Sequence, residues 1–306
     1  MAIRIAIIGY GKIARDQHIP AIAADPRFEL AAVASTSGDP GIGCPWFRTT
    51  GELLAGMGGR LDAIAICTPP GPRYAIARDA LVAGVDVLLE KPPAATLGEI
   101  AHLESIAAQT GRALYAGWHS QHAAGVAQAA EALAGSNISA LSISWREDVR
   151  KWHPGQEWIW SPAGFGVFDP GINALSIATR ILPMPLFVRE ARLLVPANKQ
   201  APIAASLTFV GNDLKGEFDW RHSEREEWTI RVATDAGKIV ELSEGGDRLS
   251  IDGADQALQP RGEYPSIYDA FADLVARRAS EVDKEPLRIV ADAFLVASRE
   301  PTDPFL

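Results

Sequence analysis

Cysteine is almost missing from this 306-residue chain: only Cys44 and Cys67 occur, too few for a disulfide framework. Cys67 closes the apolar run Ala63-Ile64-Ala65-Ile66-Cys67, where a small buried thiol is expected to be inert, so a reducing cytoplasm is the expected compartment. Positive charge is in deficit as well, with 29 Lys and Arg against 38 Asp and Glu and a formal net charge of -9. That balance excludes nucleic acid as a partner, because binding it needs a basic face that neutralises phosphates. No apolar stretch reaches the ~18 residues of a membrane span, and the N-terminus runs directly into a strand without a cleavable apolar segment. Neither a membrane anchor nor secretion is expected. The six histidines lack the spacing and cysteine company of a zinc site, and no metal is expected. Internal repeats and low-complexity segments are also absent.

What is present is enough apolar material, 47% of the residues, for about two domains with sizeable cores. Up to about residue 120 the chain alternates strand and helix. Strands are expected at Ile3 to Ile8, Phe28 to Ala34, Leu61 to Cys67, Asp86 to Leu89 and Leu114 to Ala116. Between them, Pro72 to Ala83 stops at Gly84, and Thr96-Leu97-Gly98-Glu99 has the form of a capping box opening a helix that Gly111 closes. Such alternation implies right-handed βαβ units and a parallel sheet covered on both faces. From Ile138 onward strands follow strands: Leu141, Ile143 and Trp145 alternate with polar residues, as do segments around Leu207, Phe218, Trp228, Ile230 and Val232. That pattern suits a mainly antiparallel sheet with one covered face. Helices are expected from about Pro170 to Ile181, Ser266 to Arg277 and Leu287 to Val296. The expected fold is therefore α/β: a doubly wound parallel Rossmann sheet over residues 1–120, then an α+β domain with a large, open, mainly antiparallel sheet over 121–306. The open face of that second sheet needs covering, which predicts a homo-oligomer, dimer or higher, built through it.

Two motifs carry chemistry. Gly9-Tyr10-Gly11-Lys12-Ile13-Ala14 joins the first strand to a helix without a gap. Gly9 allows the tight turn, Gly11 lets the backbone approach a pyrophosphate, and Ala14 permits close helix-to-strand packing. The phosphates are expected at the helix N-terminus, at Lys12 and Ile13. Taken alone, a Gly-x-Gly-x-x-Ala match also arises by chance in loops; its place as the first strand-to-helix turn is what points to a dinucleotide. At the end of the second strand, where an acid would bind a ribose 2′-hydroxyl and an arginine a 2′-phosphate, the chain has Ser35-Thr36-Ser37. Without the acid nothing repels a 2′-phosphate, and without the arginine strong selection for it is not expected, so both NAD and NADP are expected to work. The second motif, Glu90-Lys91-Pro92-Pro93, puts one lysine amine at the end of a later strand of the same sheet. Without context, it is an exposed lysine at a strand end.

These motifs, with His18-Ile19-Pro20-Ala21 and Thr68-Pro69-Pro70, resemble the glucose-fructose oxidoreductase and inositol dehydrogenase family along the whole chain. Within it the sequence is most similar to the bacterial aldose 1-dehydrogenases acting on L-arabinose and D-galactose. This closer likeness is carried by Gly11 to His18, by Trp145-Arg146-Glu147-Asp148-Val149-Arg150-Lys151-Trp152-His153-Pro154-Gly155-Gln156 and by Gly166-Val167-Phe168-Asp169-Pro170-Gly171-Ile172-Asn173. The resemblance implies a Rossmann domain joined to an α/β domain, a dinucleotide also touched by Thr68, Pro69 and Glu90, and Lys91 beside the nicotinamide. The implied reaction is oxidation of a sugar C1 hydroxyl to an aldonolactone, which needs a base or relay for the hydroxyl proton. Lys91 and Asp169 are the candidates. Asp169 also reads as a helix N-cap before Pro170, and both roles are compatible. Asn173, four residues on, faces the same side of that helix; many relatives have histidine there, and an amide orients an oxygen but does not titrate between pH 5 and 8. Glu147, Trp152 and His153 lie in a segment whose composition suits a sugar site; spacing alone favours a loop of salt bridges and core tryptophans, and it is the resemblance that turns Glu147 and His153 toward the sugar. His119, ahead of His122, follows the last Rossmann strand and is the further candidate for the sugar. The rival readings are oxidation of a cyclitol or other ring hydroxyl, and a non-catalytic cofactor-binding sensor.

Overall fold

A computed structural model describes residues 2–306. The strands of the first sheet are β1 (Ile3–Ile8), β2 (Phe28–Ala34), β3 (Trp46–Phe47), β4 (Ala63–Ile66), β5 (Asp86–Glu90) and β6 (Leu114–Gly117), all parallel, in the order β3-β2-β1-β4-β5-β6. This is the doubly wound order, in which the order of the strands reverses between β1 and β4 and ligands lie beyond the strands' C-terminal ends. Period-2 alternation decides which side chains go where: Ile5, Ile7, Ala63, Ala65 and Leu88 face one core, and Ala6, Ile8, Ile64, Ile66, Val87 and Leu89 the other. Helices Pro70–Val82 and Leu97–Thr110 fill the second core with Ala77, Ala80, Leu81, Leu103 and Ile106. The expected capping box is present: Thr96 accepts the Glu99 amide, Glu99 returns to the Thr96 amide, and Gly111 ends the helix in the left-handed region.

The first core holds a surprise. Tyr264, Ile267, Tyr268, Phe271 and Leu274, from helix Glu263–Arg277, pack on Ile5, Ile7 and Leu88. The chain therefore forms one unit from residues 1–118 with 264–284 and another from 119–263 with 285–306, where the sequence led us to expect a single division at 120. A helix's apolar stripe tells that it is buried but not against what, so sequence pattern cannot say that this helix completes a sheet laid down 150 residues earlier.

The second unit carries β7 (Ile138–Arg146), β8 (Val188–Pro196), β9 (Ala204–Phe209), β10 (Leu214–Asp219), β11 (Glu227–Thr234), β12 (Ile239–Ser243), β13 (Arg248–Ile251), β14 (Ala254–Asp255) and β15 (Ser298–Thr302). They form one sheet ordered β14-β13-β12-β11-β7-β10-β9-β8-β15, antiparallel except for the β7–β10 and β8–β15 pairs. Helices Val126–Leu133, Phe168–Ile181 and Glu285–Val296 belong to this unit, and the buried face of β7 is Leu141, Ile143 and Trp145, as the alternation requires. The opposite face is polar, with Ser206 donating to Glu217 and Arg231 paired with Glu241 across strands. No helix of the described residues is long and apolar enough to cross a membrane.

Candidate active site

The C-terminal edge of the parallel sheet gathers the predicted cofactor residues in strand order. Gly9 follows β1 with φ +91°, and a Cβ there would lie 3.0 Å from Thr68 Cγ2 and 3.1 Å from the Thr68 amide, so the turn requires glycine for conformation and for space. Its amide donates to Ala34 at the end of β2, while Cys67, after β4, donates to Ile8. The helical stretch that follows starts at Lys12 and contains a π-turn at Ala14–His18 before helix Ile19–Ala24. Lys12 itself is exposed and its amine is engaged by Asp16, one turn along. Ser35 is buried with its hydroxyl accepting the Ser37 amide, whereas Thr36 is exposed.

Beyond β5 the Glu90-Lys91-Pro92 turn, with a cis Lys91–Pro92 bond, is gripped from three directions. Glu90 Oε1 accepts the Tyr264 hydroxyl at 2.6 Å and lies 2.9 Å from His18 Nε2, while Oε2 accepts the Lys91 amide at 3.0 Å. His18 Nδ1 meets the Tyr268 hydroxyl at 2.8 Å. Arg73, buried, donates to the carbonyls of Thr68 at 2.8 Å, Glu90 at 2.6 Å and Pro92, tying the turns after β4 and β5 together. Burial alone would push the His18 imidazole down, but Cys67, Tyr268 and the Glu90 carboxylate outweigh it and hold its proton well above the usual range. Tyr268, wholly buried, is pushed up to about 12 by that burial. Glu90, expected at the cofactor, thus spends its carboxylate inside the protein, on the frame that sets the Lys91 backbone. Sequence reasoning missed Arg73, Tyr264 and Tyr268. Only the resemblance had drawn notice to His18, and no local pattern links it to partners 72 and 250 residues away.

In the second unit, Asp169 is not a helix cap. Its helix begins at Phe168 after Val167, which makes no side-chain cap, and the Asp169 amide closes a turn onto Gly166. Its buried carboxylate instead meets His153, Nε2 to Oδ2, at 3.4 Å. The His153 ring packs against Trp220 at 5.3 Å between centroids. Glu147 is buried and its two oxygens accept the indole N–H groups of Trp220 at 3.2 Å and Trp228 at 2.9 Å. Trp228 stacks on Trp145, and Trp152, 41% exposed, lies 5.4 Å from Trp228. Glu147, Trp152, His153 and Asp169 are thereby linked through one cluster of tryptophans. Asn173 sits one turn beyond Asp169, and its side-chain amide makes no hydrogen bond among the described residues. His119 is held by Glu263 at 2.8 Å. Burial, then Arg180 and His119, push the neighbouring His122 down against the pull of Glu263.

Residues 3–118 match the oxidoreductase family with an NAD-binding Rossmann fold, GFO_IDH_MocA. Over 309 aligned positions the chain is 48% identical to a galactose 1-dehydrogenase of Pseudomonas fluorescens, spanning 99% of this chain and 98% of that one. The chain belongs to the Gfo/Idh/MocA family. A crystal structure of a D-galactose-1-dehydrogenase from Rhizobium etli superposes with a TM-score of 0.93 at 47% identity, covering 100% of this chain and 98% of that one. A 3-ketoreductase from Actinomadura kijaniata, crystallised with NADP and TDP-benzene, shares the fold at 18% identity and a TM-score of 0.82, with 99% and 100% coverage.

As a Gfo/Idh/MocA member the protein is an oxidoreductase with an NAD-binding Rossmann unit, and the residues at the strand ends fit a dinucleotide. The position a Cβ of Gly11 would take has nothing within 4 Å, so bare backbone faces open space where the pyrophosphate is expected. Thr68 Oγ1, beside Gly9, is buried without a hydrogen-bond partner among the described residues. Among those residues no group of three or more His, Cys, Asp and Glu is gathered for a metal ion.

Proposed function

We propose that this protein is an NAD(P)-dependent aldose 1-dehydrogenase that oxidises the C1 hydroxyl of D-galactose, L-arabinose or a close relative to the aldonolactone. The observation that carries the reading is full-length identity of 48% to the Pseudomonas fluorescens galactose 1-dehydrogenase. NAD or NADP, when bound, supplies the acceptor for the C1 hydride. Gly9, Gly11, Lys12, Ile13, Ser35, Thr36, Thr68 and Pro69 hold the dinucleotide, and both forms of it work.

Lys91 takes the proton of the C1 hydroxyl: the O–H bond breaks, its electron pair closes the C1=O bond, and the amine becomes an ammonium. Glu90, fixed by His18 and Tyr264, keeps the Lys91 backbone in one geometry. Asp169, with His153 against it, serves as relay or base, and Asn173 orients the C1 oxygen without titrating. Glu147 shapes the sugar platform by holding two indoles, and Trp152 offers a face to sugar C–H groups. His119 addresses a sugar hydroxyl. The protein works in a reducing compartment, consistent with two free cysteines, and as a homo-oligomer through the polar face of the nine-stranded sheet.

The test is reduction of NAD and NADP, followed by absorbance, with L-arabinose, D-galactose, D-fucose, D-xylose, D-glucose and myo-inositol. Turnover confined to sugars of the D-galactose and L-arabinose configuration, with a hydrolysable lactone as product, supports the reading. Turnover on inositol alone moves the chemistry to a ring carbon, and silence on all substrates with cofactor still bound makes the protein a sensor. Light scattering that gives a monomer rejects the oligomer.

A further inference from the structure

The triplet Ser35-Thr36-Ser37 contains no cation, but the fold brings one alongside. β3 is the edge strand beside β2, in parallel register with Val33 opposite Trp46 and Ala34 opposite Phe47. Continued by one residue, that register sets Arg48 opposite Ser35. Two further bonds pin the loops together there: the Ser35 amide donates to the Phe47 carbonyl at 3.0 Å, and the Trp46 indole donates to the Ser35 carbonyl at 3.1 Å. The Arg48 backbone is fixed from the other side, its amide donating to Glu52 Oε2 at 3.0 Å in the first turn of the next helix. The side chain is exposed, and its guanidinium makes no hydrogen bond or ion pair among the described residues. An arginine that the fold positions twice over, with a guanidinium that pairs with no group among the described residues, is available for a ligand anion.

The sheet order says which anion. Reading from the edge inward, the C-terminal ends present Arg48 after β3, Ser35 and Thr36 after β2, the glycine turn after β1 and Thr68 after β4. Neighbouring strands are about 4.8 Å apart, so Arg48 stands about two strand spacings, roughly 10 Å, from the pyrophosphate turn, with the ribose-reading loop between them. A group that extends from the adenosine ribose away from the pyrophosphate meets Arg48, and in NADP that group is the 2′-phosphate. We propose that Arg48 is the residue that binds the 2′-phosphate of NADP, with the Thr36 and Ser37 hydroxyls as co-donors. This rests on the dinucleotide lying along this edge, as in the proposed function. Arginine suits the task because its planar fork makes paired, charge-assisted hydrogen bonds to phosphate oxygens, which a lysine cannot reproduce.

The test is calorimetric binding of NADP, NAD, adenosine 2′,5′-bisphosphate and 5′-AMP to the wild-type protein and to Arg48→Ala and Arg48→Glu. NADP and the bisphosphate are expected to weaken by about 10- to 100-fold in Arg48→Ala, the loss of hydrogen bonds to a charged group, while NAD and AMP stay within about twofold. Arg48→Glu should widen the gap further, and the ratio of kcat/KM for NADP over NAD should fall in step. NAD affinity doubles as the folding control. An unchanged NADP affinity in Arg48→Ala, or equal losses for NAD and NADP, overturns the assignment. A wild-type protein that binds neither cofactor overturns both this assignment and the proposed dinucleotide site, and so is distinguished from failure at Arg48 alone.

Discussion

The two units prepare their chemistry by different means. Along the parallel sheet, the candidate groups are mostly backbone and glycine at strand ends, with Lys91 set on a buried His18-Glu90-Tyr264 frame. In the nine-stranded unit the corresponding groups are side chains on a strand end, a short helix and a long helix, joined only through an aromatic cluster. The first arrangement depends on backbone position and on one supported strand-end turn; the second depends on side chains that hold one another. A cofactor common to a whole family suits the one, and the proposed sugar site suits the other.

Substitutions can break this contrast, beginning with the largest effect. Lys91→Ala should lower turnover by about 10²-fold or more with cofactor affinity nearly unchanged, as the proposed role in proton transfer, away from the phosphate turn, requires. Single-turnover kinetics with dinucleotide titration reads both, and full turnover in this variant removes Lys91 from the mechanism. His18→Ala attacks the frame beneath Lys91, leaving the buried Glu90 short of a partner, and should cost about 3 kcal/mol of stability. Because the folded-state pKa of His18 lies above its ordinary value, the stabilisation it gives is full below about pH 6.5 and fades as pH rises through the raised value. The melting-temperature gap between wild type and variant should therefore narrow from pH 6 upward to what packing leaves; a constant gap would show that His18 acts by packing alone.

In the aromatic cluster the effects are smaller and of another kind. Glu147→Gln removes one of two acceptors for the indoles of buried Trp220 and half-buried Trp228, a loss of about 1 to 2 kcal/mol seen in melting, with KM for the sugar rising because the tryptophans shift. A KM that stays fixed while stability falls would assign Glu147 to the core and not to the sugar. Trp152→Ala, at an exposed ring, should raise KM about threefold to tenfold, as for about 1 kcal/mol of stacking, while kcat and melting temperature hold. Equal losses in both parameters would mean that the ring does more than bind.

Legibility in the sequence follows the same division. Gly9, Gly11, the Thr96–Glu99 box and Glu90-Lys91-Pro92 were readable because their causes are local: a positive φ, a capped first turn, a strand end. Asp169 reads locally as a cap and is not one, because Gly166, Val167 and the Pro202 carbonyl start the helix two residues earlier, releasing the carboxylate to His153. Arg48 passed unnoticed because β3 is two residues long and offers no periodicity, so only the register shows what it stands beside. Arg73 and Tyr264 escaped for the reason that their partners lie 17 and 174 residues off.

The packing of Tyr264 to Leu274 on Ile5, Ile7 and Leu88 has a bearing on how the chain is born. A ribosome that has released residue 118 has made every strand of the parallel sheet, yet one face of it, covered in part by Ala14, Ala21 and Ile22, still lacks the helix that completes its core. At about 5 to 20 residues per second, the remaining stretch to residue 284 takes on the order of ten seconds or more, during which the nascent sheet waits for its last helix. An excised fragment 1–120 should accordingly aggregate or bind hydrophobic dyes. Joining 264–284 to it by a short linker should yield a soluble nucleotide-binding mini-protein.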